Sequence, residues 1–318
     1  MKAVIHDRYG GPEVLRVEDV PVPTPTQGQV RVRIRATSVN LSDWEGLTGS
    51  PGYARMGGLR RPRRRILGSD IAGVIDAVGP GVSRFREGDE VYGDNLALMG
   101  GFAEFAVAAE SALVAKPAEL SFVQASTIPQ AGAIAVKGTA RVAGGRVLIN
   151  GAGGGSGAFA IQLAARAGAH VTAVDNATKL DFMRSVGADE VVDYRVDDFT
   201  RITPRFDLVL DLVAHRSVFA YRRALAPGGV YRCVGGSVRS LLRILTVGWL
   251  AGRLSGRSLG VLVVQQGPSS FAPLADLCMR GEVSIHVHHA YRLDQVADAL
   301  ADVGEGRALG KVVVEIPT

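Results

Sequence analysis

The residues best equipped for chemistry in this 318-residue chain lie between Arg146 and Asp175, RVLINGAGGGSGAFAIQLAARAGAHVTAVD. Gly151, Gly154 and Gly157 stand three apart, and Ala152-x-Gly154-x-x-Gly157 fits a relaxed G-x-G-x-x-G, with Gly155 and Ser156 before its last glycine. This spacing suits a pyrophosphate. One glycine permits a tight turn, the next lets the backbone approach the phosphates, and the last lets a helix pack close to a strand. The helix then offers its unpaired first-turn N–H groups and the positive end of its dipole to the anion. An apolar strand, Val147 to Asn150, precedes the glycines. A helix follows with Ala160, Ala164 and Ala167 on its inner side, and a second strand, Val171 to Val174, ends at Asp175. The order is a βαβ unit with a dinucleotide fingerprint at its first turn. An acid at Asp175 accepts hydrogen bonds from an adenosine ribose diol and repels a 2′-phosphate, which favours NADH over NADPH.

Other chemistries have less support. Cys233 and Cys278 lie far apart and build neither a disulfide framework nor a metal cluster. Both read as small buried hydrophobes. His286, His288 and His289 occupy a short β-like stretch with no carboxylate or cysteine at ligand spacing, so no metal is expected there. The formal charge is +5, and Arg60, Arg61, Arg63, Arg64 and Arg65 form a basic run. The run is either a solvated loop or a docking patch for an anionic handle, such as coenzyme A or an acidic carrier protein. No nucleic-acid recognition motif accompanies it. The N-terminal MKAVIHDR leads straight into a strand, and no signal, transit or membrane-length apolar segment is visible. The expectation is a cytoplasmic protein with a small-molecule substrate and neither nucleic acid nor membrane as partner.

The elements that must position these residues fall into two patterns. Up to about residue 120 the chain reads as short strands punctuated by turns: Lys2 to His6, Val14 to Asp19, Val30 to Ala36, Ile71 to Val78, Glu90 to Tyr92 and Ala103 to Val107. In the third of these Val30, Val32 and Ile34 alternate with Arg31, Arg33 and Arg35, the signature of a half-buried strand. A small β-barrel-like domain follows from that pattern. From 121 to about 265 strands and helices alternate, with strands at Glu190 to Tyr194, Asp207 to Val213, Val230 to Val234 and Leu259 to Val264, as in a doubly wound parallel sheet. Leu241 to Leu254 reads as a packing helix or as an apolar wall over a substrate cleft, and it is too short and too charged to span a membrane. The tail, 266–318, holds two helices and a last strand, Lys311 to Ile316, expected to return to the first domain.

Several stretches then stand in a telling order: SVNLSDW (Ser38 to Trp44), LGSDIAGVIDAVGPGVSRFREGDEVYG (Leu67 to Gly93), GGFAEFAVA (Gly100 to Ala108), INGAGGGSGAFAIQLA (Ile149 to Ala164), VGADEVVDY (Val186 to Tyr194) and GKVVVEI (Gly310 to Ile316). Together they resemble the medium-chain dehydrogenase/reductase superfamily, in its zinc-independent quinone oxidoreductase and enoyl reductase branch. The resemblance covers nearly the whole chain and implies a GroES-like β-barrel catalytic domain joined to a Rossmann sheet. Zinc-dependent members need cysteine or histidine ligands, whereas the matching positions here read Asn40-Leu41-Ser42-Asp43 and Leu67-Gly68-Ser69-Asp70. No zinc is expected. The chemistry implied is hydride addition to a carbon already polarised by conjugation, in an enone, a quinone or an enoyl thioester.

The resemblance also assigns residues. Asn40 and Asp43 match an N-x-x-D motif, with Asn40 a donor to a carbonyl oxygen and Asp43 ordering the loop, or with both as structural caps. Tyr53 lies slightly beyond the place where related enoyl reductases carry a proton-donating tyrosine, and Ser42 is a second hydroxyl nearby. Lys179 and Tyr194 match positions that hold the 2′-phosphate or adenosine end in NADPH-dependent relatives. They oppose the signal from Asp175, so NADPH and NADH both stay open. Gly235 and Gly236 match a glycine pair beside the nicotinamide ribose, and Val263 to Gln265, including Val264, match a strand whose backbone holds the carboxamide. Ile134 replaces a threonine common near the nicotinamide. That departure keeps a second reading alive, a dinucleotide-binding protein without redox turnover. Many relatives are homodimers, and Leu259 to Val264 is the edge strand through which two copies would pair.

Overall fold

The computed structural model describes residues 1–56 and 58–317. The chain forms two compact units, Met1–Ala133 with Gln265–Thr318, and Ile134–Val264. The tail thus belongs with the first unit. So does the stretch from Ser121 to Ala133, which the sequence pattern groups with the dinucleotide-binding domain.

In the first unit the alternating stretch grows into a long strand, Gln29–Val39, with Val30, Val32 and Ile34 buried. Its neighbours give a sheet in the order Val287–Arg292, Lys311–Glu315, Gln29–Val39, Asp70–Val78, Glu90–Asp94 and Leu113–Ala115, and Phe105–Ala109 pairs with the first half of the long strand. Lys2–Ile5 and Arg16–Asp19 form a separate two-stranded ribbon. Val32, Ile34, Ile71, Ile75, Val91 and Leu113 pack as one core, and Leu47, Phe102, Val296, Leu300, Val312 and Val314 as another. The register has a chemical consequence. Val39 sits opposite Val312, Ser38 opposite Asp70, and Asp70 opposite Asp94. Because these neighbours run antiparallel, Lys311, Val39, Asp70 and Asp94 collect at one end of four adjacent strands. The tail adds the strand Val287–Arg292 to the expected helices, parallel to Lys311–Glu315.

The second unit is a six-stranded parallel sheet in the order Glu190–Asp193, His170–Asp175, Arg146–Asn150, Phe206–Asp211, Leu225–Cys233 and Ser258–Val261. In its central strands residues 147–150, 171–175 and 209–211 are buried, as a sheet covered on both faces requires. Chain order reverses direction on either side of Arg146–Asn150, which places the glycine turn at the switch point.

Three local expectations need correction. The last strand stops at Val261 instead of Val264; Leu262 still donates its N–H to Cys233 O at 2.8 Å, but Val263 is 74% exposed. The neighbouring strand ends at Cys233, so the residues beyond Leu262 have no ladder to join. Ala167 is the exposed cap of its helix and does not line its inner side, whereas Ala160 and Ala164 are buried. The apolar stretch 241–254 is part of a longer helical run from Val238 to Leu254 with a π-helical turn at Ile244–Gly248, and it turns most of its large side chains outward. No helix among the described residues is long and apolar enough to cross a membrane.

Candidate functional site

The glycine turn has the form a pyrophosphate requires. Gly151 adopts φ +80°, and a Cβ there would come within 2.9 Å of Val213 Cγ2. A Cβ on Gly157 would fall 2.4 Å from the carbonyl oxygen of Ala152, which is itself buried under the helix. Gly154 differs: a Cβ there would meet nothing nearer than the Gly151 carbonyl oxygen at 3.8 Å. The protein's own packing does not need glycine at that position, so the open space beside it fits the close approach of a ligand. Gly154 is also the N-cap of the helix Gly155–Arg166, and it has no side chain to cap the amides of Gly155, Ser156 and Gly157. Those first-turn N–H groups have no partner within the helix. They are the donors that would hold the phosphates of a dinucleotide.

At the end of the next strand the two opposed cofactor signals prove to be one buried pair. Asp175 and Lys179 are 8% and 4% exposed, and Lys179 Nζ lies 3.6 Å from Asp175 Oδ2. The same oxygen accepts the Gly153 N–H at 3.0 Å, while Oδ1 accepts the Asn176 N–H at 2.9 Å and Asn176 Nδ2 at 3.2 Å. Burial lowers the Lys179 ammonium's pKa, and Asp175 works against that shift. The cation exposed at this edge is instead Arg195, whose guanidinium stands 5.7 Å from the ring centre of the half-exposed Tyr194. Sequence reasoning passed over Arg195. Its position directly after Tyr194, at the end of a strand next to the Asp175 strand, was the signal available. Farther along, Gly235 and Gly236 take φ +69° and +106°, and Val264 is partly buried.

The N-x-x-D residues of the first unit enter a buried polar network. Asn40 caps the helix Leu41–Thr48, and its N–H donates to Asp43 Oδ2 at 2.8 Å. Asp43 Oδ1 accepts the Gly68 N–H at 3.1 Å. The Asn40 side chain donates through Nδ2 to Asp70 Oδ2 at 2.9 Å and to Ser69 Oγ at 3.1 Å, and its Oδ1 accepts Lys311 Nζ at 2.7 Å. The amide that the sequence offers to a substrate carbonyl is therefore spent inside the protein, because a carboxyl, a hydroxyl and an ammonium converge on it at the strand ends. Asp70 also accepts Ser38 Oγ at 3.0 Å and the Gln130 N–H at 3.1 Å, and lies 3.8 Å from Lys311 Nζ. Asp43, Asp70, Asp94 and Lys311 are 0%, 0%, 9% and 3% exposed. One ammonium thus faces three carboxyls away from water. Burial pushes the Asp43 and Asp94 carboxyls up to about 7, with the charge of Asp70 adding to the rise at both. Burial also raises Asp70 and lowers Lys311, each opposed by the other's charge. Lys311, Ser69 and Asp94 belong to this site although the sequence reading did not single them out as site residues.

Tyr53 sits apart from that network on the short turn Gly52–Arg55, where its hydroxyl donates to Glu45 Oε1 at 3.0 Å. Burial raises both Glu45 and Tyr53, and the Glu45 charge raises Tyr53 further. Ser42 Oγ donates to Gln130 Oε1 at 2.9 Å. Among the described residues no three histidines, cysteines or carboxylates are grouped to hold a metal ion. In the basic run, Arg65 pairs with Asp7 and His6 bonds the Arg64 carbonyl oxygen, while Arg60, Arg61 and Arg63 are exposed without an ion pair among the described residues.

Two outcomes follow from this geometry. Gly154→Asp should abolish dinucleotide affinity while leaving the melting temperature nearly unchanged, since the new side chain meets open space. Retained affinity, measured by calorimetry, would refute the phosphate assignment. The second outcome concerns pH. A carboxyl raised to about 7 in the folded chain stabilises it fully below the unfolded value near 3.8, and that contribution is lost as pH rises through 7. Asp94→Asn removes the proton-binding group but keeps an acceptor for the Leu96 N–H. Denaturant titrations should show the variant more stable than the parent at pH 8 by on the order of 1 kcal/mol, with the advantage gone near pH 4. Parallel stability curves for the two proteins would contradict this.

Two family models match the chain. Residues 26–118 match the alcohol dehydrogenase GroES-like domain family, and residues 186–314 match the zinc-binding dehydrogenase family. The chain is 31% identical to a chloroplast envelope quinone oxidoreductase homolog of Arabidopsis thaliana, covering 99% of this chain and 98% of that protein. It is 30% identical to a 2-methylene-furan-3-one reductase of Solanum lycopersicum, covering 99% of this chain and 79% of that one. Among solved structures, the quinone oxidoreductase from Coxiella burnetii superposes with a TM-score of 0.88 at 27% identity, covering 100% of this chain and 99% of that chain. With a GroES-like unit, a Rossmann sheet and relatives matched end to end, the chain belongs to the medium-chain dehydrogenase/reductase superfamily, among its NAD(P)H-dependent quinone oxidoreductases and enoyl reductases.

Proposed function

We propose that this chain reduces a quinone or a conjugated carbon–carbon double bond, as in an enone or an enoyl thioester. The observation that carries the reading is the open space at Gly154 at the head of an uncapped helix, which fits a dinucleotide pyrophosphate. When bound, the nicotinamide would supply a hydride. The chain's own residues hold the phosphates on the amides of Gly155, Ser156 and Gly157 and handle the proton. Addition of hydride at the β-carbon leaves an enolate, which needs a hydrogen bond at oxygen and a proton at carbon. Tyr53 is the donor in this reading, oriented by its hydrogen bond to Glu45. Asn40 and Asp43 act as positioning residues that fix the loop ahead of Ser42. Gly235, Val263 and Val264 are the backbone available to the nicotinamide end.

Asp175 supports NADH, and the exposed Arg195 beside Tyr194 supports NADPH. Removing the carboxylate also frees Lys179, so Asp175→Ser should raise the NADPH-to-NADH affinity ratio at least about tenfold. A ratio that does not move would take Asp175 and Lys179 out of cofactor selection. The exposed Arg60, Arg61 and Arg63 support an anionic handle on the substrate, carried by coenzyme A or a carrier protein. Ser258–Val261, at the edge of its sheet, is the strand through which a homodimer would form.

The decisive assay follows NADH and NADPH oxidation with a quinone, an enone and an enoyl-coenzyme A, beside direct cofactor binding. We expect turnover with at least one acceptor, and a loss of roughly 100-fold in kcat for the enone or enoyl substrate in Tyr53→Phe. Tight cofactor binding with no acceptor consumed would instead establish a dinucleotide-binding protein without redox turnover. Unchanged kcat in Tyr53→Phe would transfer the proton-donor role to another hydroxyl, with Ser42 the next to replace.

A further inference from the structure

The helical run Val238–Leu254 is built in reverse of an ordinary packing helix. Its buried stripe is Ile244, Gly248, Ala251 and Gly252, mostly small residues. A Cβ on Gly252 would lie 2.9 Å from the Arg257 carbonyl oxygen and 3.1 Å from Leu259 Cδ1, so the helix lies close against the edge of the sheet. The large apolar side chains face outward: Leu242, Leu245, Trp249, Leu250 and Leu254 are between 51% and 78% exposed. Isolated exposed hydrophobes are ordinary, but five on one helix make a contiguous patch that implies a partner.

The stretch of chain that carries the patch has charges of one sign. Between Asp211 and Asp276 the chain has no aspartate or glutamate and eight arginines, Arg239, Arg243 and Arg253 among them on this run. The helix Val218–Ala224 packs beside it, with Val218 Cγ1 3.6 Å from a Cβ built at Gly248. Next to that helix is a cavity of about 550 Å³ lined by Arg205, Phe219, Arg222, Arg223 and Arg257. Backbone carbonyls orient three of its guanidiniums: Arg257 Nε donates to Leu225 O at 3.0 Å, Arg205 Nη1 to Ile202 O at 3.0 Å and Arg223 Nε to Thr200 O at 3.4 Å. Asp198, 3.8 Å from Arg223, is the one carboxylate paired with any of the four among the described residues. Phe219 is 59% exposed with Arg222 stacked on it at 5.7 Å.

We propose that the Val238–Leu254 helix and the arginine-lined cavity beside it form a docking face for a bilayer that carries anionic phospholipids. The helix lies in the plane of the interface, with its outward leucines and Trp249 among the acyl chains near the headgroups, and the guanidiniums receive the lipid phosphates. A run of seventeen helical residues is about 25 Å long, ample for lying along a surface and short of a membrane span. A second copy of this chain fits the patch less well, because face-to-face contact sets many arginines against arginines with Asp198 the one acid paired with the cavity arginines among the described residues. The proposal stands without the reductase reading, since its test measures attachment and not turnover.

The full chain is mixed with vesicles of phosphatidylcholine alone or of phosphatidylcholine with phosphatidylglycerol, and bound protein is separated by flotation. Emission from Trp249, one of only two tryptophans, reports insertion. Binding is expected on the anionic vesicles only, with a blue shift. Leu245→Ser with Leu250→Ser should weaken it at least tenfold. Arg222→Gln with Arg243→Gln should weaken it roughly 30-fold, both at unchanged melting temperature. Turnover of a water-soluble acceptor should stay at the parent level in both variants. Failure to float with anionic vesicles would overturn the proposal, as would equal binding to neutral ones or partition that the leucine substitutions leave intact. Binding of inorganic phosphate without vesicle attachment would reduce the cavity to a free-phosphate site. A solution dimer split by the leucine substitutions, with no flotation, would give the face to a second copy.

Discussion

The first unit depends on one buried ammonium. Lys311 Nζ is bonded to the Asn40 side chain at 2.7 Å and the Val39 carbonyl oxygen at 3.3 Å, with Asp70 at 3.8 Å. It arrives from the last strand of the chain and lands where the third strand, Gln29–Val39, gives way to a helix. Without it, three carboxyls would share a water-free pocket with no cation, an arrangement far costlier than any of their hydrogen bonds returns. Its placement follows from register. Lys311–Glu315 pairs with Gln29–Val39, that strand with Asp70–Val78, and that one with Glu90–Asp94, so the tail must be docked before the pocket is neutral.

A buried ion cluster is weak evidence of stability, since a well-packed apolar set of equal volume often does as well or better. Its use here lies in orientation. Asn40 has one carbonyl and two amide hydrogens to satisfy, and Lys311, Asp70 and Ser69 take all of them. A fully satisfied amide cannot rotate without breaking several bonds at once. The start of the helix bearing Ser42, and through it the contact to Gln130, is thereby fixed from the inside. The raised Asp43 and Asp94 carboxyls are the complement of the same arrangement: where one cation serves three acids, protons supply the rest of the neutralisation.

The two units differ in how far they can be read from sequence. The dinucleotide turn is legible because its determinants are local: an apolar strand, glycines at fixed spacing and a small-residue helix occur within one short segment. The half-buried strand at Val30 to Ala36 is legible for the same reason, since alternation reports the sheet face directly. The Lys311 network is not, because its members are spread over 272 residues and each looks ordinary in place. Asn40 and Asp43 can be found by motif, but the role of the Asn40 amide is set by partners from two other segments, Ser69-Asp70 and Lys311. Asp175 and Lys179 show the same limit at short range. Their spacing of four gives the ion pair, yet burial of that pair is a property of the folded turn around Gly153. The last parallel strand ends short of its apolar run because hydrophobicity continues past Val261 while the ladder beside it does not.

Charge is the remaining lesson, and it was present in the sequence from the start. Reading for contiguous runs finds Arg60 to Arg65 and assigns the excess of +5 to that loop. In the structure Arg65 of that run is paired with Asp7. The larger asymmetry is diffuse: eight arginines and no acid between Asp211 and Asp276, none of them in a block longer than two. Helix and strand geometry gathers part of that diffuse charge around one cavity and along one helix. Spacing that looks unremarkable along the chain therefore becomes a strong local field on the surface. The same elements leave leucines and a tryptophan facing outward, because the glycines and alanines of the helix take the inner side. A basic, apolar face is thus a consequence of which residues are small, and small inner residues set the outward face as firmly as large ones set a core.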